Sequence, residues 1–126
     1  MQNVFAEVEA NLKLISIYTI ERRAQEEAQC DEAMMSAMGQ LIGEMQQAGI
    51  LLDFGGVDSE GTELRVRKSG AQITVTDGPL TEAKEIVGGF AVLSVASRDE
   101  ALLRTRRFLE VAGDGTSELH QLAEYA

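Results

Sequence analysis

The chain has one cysteine (Cys30), one histidine (His120), one proline (Pro79) and no tryptophan in 126 residues. Each scarcity excludes something. A lone cysteine cannot close an internal disulfide and leaves no cysteine-rich metal site. A lone histidine leaves no multi-histidine zinc site within one chain, so no metal is expected. Basic residues are the minority, with 11 Lys and Arg against 21 Asp and Glu and a formal net charge of −10. Phosphate backbones and anionic lipid surfaces are bound by dense Lys/Arg patches, so neither nucleic acid nor membrane is an expected partner. No apolar run approaches the roughly 18–20 residues of a membrane span, and the first residues lack the basic-then-apolar pattern of a signal peptide. A reducing, cytoplasmic setting is the default expectation, with the acidity keeping a small protein dispersed.

What is present reads as one domain, with 44% apolar and 25% charged residues, ordinary proportions for a globular chain long enough to bury one core. Residues 1–11 form a weakly amphipathic lead-in, and the domain proper occupies 12–126. Leu12 to Ile20 is β-branched and aromatic and reads as a strand. A charged connector, Glu21 to Gln29, follows. Between Asp31 and Ala48 a methionine-rich stripe (Met34, Met38, Leu41, Met45) recurs at helical spacing and reads as core; Gly49 supplies the stop. Ile50 to Phe54 is a second strand, and Gly55-Gly56 with Gly61 brackets a loop containing Asp58. Leu64/Val66 and Ile73/Val75 alternate with Arg65/Arg67 and Thr74/Thr76 around Ser69-Gly70, which predicts a hairpin with one apolar and one polar face.

After Asp77-Gly78-Pro79, a polar bridge carrying Lys84 and Glu85 leads to Gly88-Gly89 and a strand from Phe90 to Ala96. Ser97-Arg98-Asp99-Glu100 is a capping box. The helix it opens runs to about Glu110 with Ala101, Leu102, Thr105, Phe108 and Leu109 inward, and Ser117 to Ala123 is the last strand. The class is α+β. Removing the hairpin leaves βαββαβ, a ferredoxin-like split βαβ sheet with an inserted hairpin.

Two helices can cover only one face of a four-stranded sheet, yet the strands look apolar on both. Phe90 and Val92 oppose Ala91, Leu93 and Val95; Leu12 and Leu14 oppose Ile15 and Ile17; Ile50 and Leu52 oppose Leu51. A wetted antiparallel face should alternate cleanly instead. Burying each such side chain is worth roughly 1.5–3 kcal/mol, so the second face needs a cover. A second copy packed about a twofold axis supplies it, which makes a homodimer the expected assembly. The competing arrangement folds the hairpin and the N-terminal extension over that face.

The segment V-T-D-G-P-L-T-E-A-K-E-I-V-G-G-F, Val75 to Phe90, resembles the D-G-P-F signature of the YCII-related (DGPF-domain) family, with Leu80 in the place of the usual Phe. Supporting anchors are M-G-Q-L-I-G-E-M-Q-Q-A-G-I-L-L from Met38, L-R-V-R from Leu64, F-A-V-L-S-V-A-S-R-D-E-A from Phe90 and F-L-E-V-A-G-D-G from Phe108. The resemblance runs over about residues 12–123 and implies a dimeric α+β barrel. It points to the subgroup that often lies near extracytoplasmic-function sigma-factor genes. Some distant relatives imply small enzymes using a His–Asp pair. Asp77 matches the signature aspartate, but Asp58 stands where many members place the histidine, and His120 stands where relatives tend to have Arg.

Each candidate site residue has two readings. Asp77 is a catalytic carboxylate or a turn residue before Gly-Pro. Arg65 and Arg67 form a fork for an anionic ligand or are edge-strand charges that block aggregation. Lys84 and Glu85 clamp a ligand at the cleft mouth or simply solvate the bridge. His120 is an acid/base helper or a surface residue at a strand end. Cys30 at a helix start has a thiol open to activation, but no redox partner nearby in sequence. Gly55-Gly56 and Gly88-Gly89 lack the spacing of a nucleotide-binding loop and read as bends beside a cleft, so no cofactor is expected. Two functions follow. One is a binding module that takes a small, anionic ligand beside the D-G-P loop and reports to a sigma factor. The other is a metal-independent lyase or isomerase with Asp77 as base, Arg65 and Lys84 as anion holders and His120 as helper.

Overall fold

The structure, a computed structural model, describes residues 11–21, 31–78 and 85–124. In chain order these form β1 (Leu12–Glu21), α1 (Glu32–Gln47), β2 (Leu51–Gly56), β3 (Leu64–Ser69), β4 (Gln72–Asp77), β5 (Glu85–Val95), α2 (Arg98–Ala112) and β6 (Thr116–Gln121). Four strands make an antiparallel sheet in the spatial order β2-β5-β1-β6, and β3 and β4 make a separate ribbon. That order is the split βαβ arrangement, so the chain is a ferredoxin-like α+β protein with a hairpin inserted between β2 and β5. The N-terminal lead-in, the connector with Cys30, and Pro79 to Lys84 lie outside the described residues.

Local chemistry sets the helix ends. The Asp31 carboxylate accepts a hydrogen bond from the Met34 N–H at 2.8 Å and caps α1. Gly49, at φ 73°, takes the left-handed turn that leaves the helix. At α2 the expected capping box forms: Ser97 Oγ accepts from the Glu100 N–H at 3.1 Å, and Glu100 Oε1 accepts from the Ala96 N–H at 2.8 Å. The carboxylate therefore reaches one residue upstream of the cap itself. The helix continues past Glu110 to Ala112.

The core is where the sheet meets the helices. Leu14, Leu93 and Val95 pack with Leu41 and Met45 of α1, Ala101 of α2, and Ile50 and Leu51 at the entry to β2. Ile50 and Leu51 are both buried, contrary to the expected alternation, because Ile50 precedes β2 and is not bound by its pleat; the β2–β5 register shifts further on, between Leu51 and Asp53. Leu52 opposes Leu51, as expected, and is 51% exposed. Leu102 is likewise outward, at 41% exposure; the inward stripe of α2 is Ala101, Arg104, Thr105 and Phe108. Arg107 and Glu44, 3.1 Å apart and both about half exposed, join α2 to α1, a contact worth little by itself.

Ile15, Ile17, Phe90 and Val92 occupy the opposite face of the sheet, which carries neither helix. The hairpin does not fold over it. Leu64, Val66, Ile73 and Val75 remain 56%, 64%, 64% and 61% exposed. The ribbon turns at Gly70, whose φ of 61° suits the first position of a two-residue hairpin loop. At its base, Gly78 N–H donates to Glu63 O at 2.8 Å, and a Cβ on Gly78 would lie 2.6 Å from Glu63 Cβ. The signature glycine is thus required by a close backbone approach.

A candidate binding cavity at the glycine-rich end of the sheet

The helix-facing side of the sheet changes character along the strands. At one end Leu14, Leu93 and Leu51 sit side by side and fill the space below the helices. One step along the register comes Ser16 beside Ala91, and one further comes Tyr18 beside Gly89, itself paired with Gly56. Small side chains on three adjacent strands leave the helices without a filler. Gly89 cannot readily be enlarged: a Cβ there would lie 2.8 Å from Gly55 O. Val57 N–H also donates to Gly88 O at 2.9 Å, holding β2 close to β5 at this end.

The result is an open-mouthed cavity of about 570 Å³ between α1, α2 and the sheet, within the size range of small-molecule sites. Met34, Met38, Leu41 and Met45 form its α1 wall, and Arg104, Thr105 and Phe108 its α2 wall. The methionine stripe therefore serves both core and cavity, since Met45 is buried while Met34 and Met38 are half-buried. Flexible thioethers suit a wall that must adapt to an occupant.

Tyr18 stands across this space. Its ring meets Phe108 edge to face, and its hydroxyl donates to Asp114 O at 3.1 Å. A Cβ on Gly115 would lie 2.4 Å from the ring, and one on Gly88 would lie 3.0 Å from it, so glycines flank the tyrosine. Burial, with the Asp114 charge adding to it, raises the phenol above its ordinary value of 10.0. The hydroxyl stays neutral at physiological pH and works as a hydrogen-bonding group, not as a base.

Two polar atoms on the cavity wall stand out. Arg104 Nε and Thr105 Oγ1 are buried and have no hydrogen-bond partner among the described residues. Most buried polar atoms find a partner, and each one that does not carries a cost.

The charged residues singled out from sequence as site candidates lie elsewhere where they are described. Arg65 and Arg67 pair with Thr76 and Thr74 on the exposed ribbon. Asp77, opposite Leu64 at the ribbon's end, is exposed, and its carboxylate accepts no hydrogen bond from a described residue. Asp58 accepts from the Glu60 N–H at 3.0 Å in its loop. Glu85 is not part of a bridge: it is the first residue of β5, pairs with Glu21 and accepts from Thr19 Oγ1 at 3.3 Å. Gly88-Gly89 accordingly lies inside β5 and does not open it. His120 is on β6 opposite Ile15, 3.7 Å from Glu118 and 63% exposed. Lys84 is outside the described residues. Of the described ones, Arg65, Arg67, Asp77, Asp58, Glu85 and His120 do not line the cavity, whereas Gly88 and Gly89 do. So do Arg104, Thr105 and Tyr18, and one signal could have revealed Arg104: a cation three residues from Ala101 and four from Phe108, inside an apolar helical stripe.

Among the described residues, no group of three or more His, Cys, Asp or Glu is placed to hold a metal ion. No helix there is long and apolar enough to cross a membrane. A ferredoxin-like α+β domain with a ligand-sized cavity between its helices and its sheet is the class these elements define. The profile of the YCII-related domain family matches residues 14–118, and the chain belongs to that family. No curated protein matches it.

Proposed function

We propose that the protein is a binding module for a small ligand held in the cavity between α1, α2 and the sheet, and that it works as a pair of copies joined through the open face. The cavity carries this reading: about 570 Å³ of largely apolar space with a few polar groups on its wall, the usual make-up of a small-molecule site. Its lining includes Ile20, Val57, Ile86 and Gly88, where β1 and β2 end and β5 leaves the signature segment. A ligand there lies on the side of the fold to which the D-G-P loop connects. In the sigma-factor setting that the resemblance implies, such a module would report whether its ligand is present.

Pairing rests on Ile15, Ile17, Phe90 and Val92, an apolar surface on a chain whose own helices pack against the other face. The acid/base alternative has less support. Asp77 ends the ribbon, His120 faces away from the helices on an edge strand, and neither lines the cavity.

The test is retention of small molecules from a cell extract, read by native mass spectrometry on wild type and on Ala91→Phe, which fills the cavity from the sheet side. Wild type should carry a discrete added mass that Ala91→Phe, still folded by circular dichroism, does not. Equal retention by both, or by neither, would remove the cavity from the account.

A further inference from the structure

Resting on the reading of the cavity as the binding site, we infer that its ligand is a monocarboxylate with an apolar body, anchored by Arg104 and Thr105. Three observations converge. The lining is mostly aliphatic, methionine and aromatic, which suits an apolar body and disfavours a polyanion such as a nucleotide. On the α2 wall, Arg104 Nε and Thr105 Oγ1 are both buried and both lack a partner among the described residues. They are consecutive residues lining one space. A guanidinium binds a carboxylate through two parallel N–H groups, one of which is commonly Nε. An unpartnered Nε leaves one donor of that fork unsatisfied, and the adjacent unpartnered hydroxyl is a further donor.

Among the described residues, Arg104 is the one cation in the cavity lining. Arg107 is paired with Glu44, and Arg65 and Arg67 lie on the exposed ribbon. Tyr18 already donates its proton to the Asp114 carbonyl, so it offers the ligand its ring, not a further donor. The anchor is therefore local to α2. The ligand's body would extend from it toward Met34, Met38 and Ala91 across the cavity.

The probes are 2-naphthoate and its neutral isostere 2-naphthalenemethanol, titrated calorimetrically into the full chain at neutral pH. Wild type should bind the carboxylate at least about tenfold more tightly than the alcohol, the scale of one charge-assisted hydrogen bond. Arg104→Gln should bring the two within about twofold by weakening the carboxylate alone; Thr105→Val should lose part of the preference. Should Arg104→Gln not fold, the wild-type Arg104 Nε–H resonance serves instead, shifting with naphthoate and not with the alcohol. Equal affinities in wild type, or a preference that survives Arg104→Gln, would overturn the anchor while leaving the cavity as a binding site. Binding of neither probe would overturn the anchor and count against the cavity with it.

Discussion

Tyr18 of β1 and Phe108 of α2 meet edge to face, ring centroids 5.2 Å apart and planes at 89°, and this contact joins the sheet to the second helix across the cavity. The geometry is the one aromatic quadrupoles prefer, worth about 0.5–1.5 kcal/mol beyond the area buried. Around it the chain keeps glycine at Gly88 and Gly115, where a Cβ would press on the tyrosine ring. The cavity is thus held open at one side by an aromatic strut and at the other by residues too small to fill it.

Gly115→Ala should lower stability by about 1–3 kcal/mol, the usual cost of forcing extra volume into an occupied space. In a Tyr18→Ala background the same change should cost little, because the atoms it meets belong to the tyrosine ring. Urea denaturation of the four proteins in the cycle measures the coupling.

The pH dependence follows from the Tyr18 hydroxyl. Its pKa is raised above 10.0 in the folded chain by burial, and secondarily by Asp114, so the folded state holds this proton more tightly than the unfolded one. The stabilisation is fully present below the unfolded pKa of about 10 and is lost as pH rises through the folded value. Unfolding free energy should therefore decline from about pH 10 up to the folded value in wild type and decline less in Tyr18→Phe. Absorbance titration should show a phenol titrating above 10.0 in wild type that is missing from the variant.

Ser97→Ala should cost about 1 kcal/mol, since it removes the Ser97 Oγ acceptor from the first turn of α2. Glu100→Ala should add less than its single-variant cost when combined with it, because the two residues act in one reciprocal cap. Because α2 carries Arg104 and Thr105, fraying its first turn should also weaken binding of a carboxylate probe.

Val92→Glu tests the pairing of copies. Val92 sits at the centre of the open face, on β5 beside Ile15 of β1, and a charge there opposes burial against a second sheet. Sedimentation at micromolar concentration should give the dimer mass for wild type and the monomer mass for the variant, with the far-ultraviolet spectrum unchanged. A wild type near 13.7 kDa under those conditions would contradict the pairing.

Much of the fold was legible in the sequence because periodicity, caps and turns are local signals. Met34, Met38, Leu41 and Met45 mark α1; Ser97 and Glu100 mark the start of α2; Leu64/Val66 against Ile73/Val75 marks the ribbon. The misplacements were equally physical. Ile50, expected to oppose Leu51, is buried beside it because it precedes β2 and is not held to the strand's alternation. Glu85 and Gly88-Gly89, rich in turn-like residues, were drawn into β5 by pairing with β1 and β2. The glycine pairs Gly55-Gly56 and Gly88-Gly89 hinted at a cleft, but its place under the helices was hidden because it is made by smallness: Ser16, Gly56 and the segment Gly89 to Ala91 are far apart in sequence and become neighbours only through sheet register. Arg104 was hidden in the run Arg104-Thr105-Arg106-Arg107, where it looks like one more solvated charge. The prominent motif residues, Arg65, Arg67 and Asp77, were instead the exposed ones.

The most direct measurement is amide chemical-shift mapping of the isotope-labelled protein on addition of the small molecule that wild type retains from extract. The account predicts the largest changes at Ala91, Gly88, Gly89, Thr105 and Phe108, around the cavity wall. Changes centred on Arg65 to Asp77 or on His120, with those cavity residues unmoved, would contradict it.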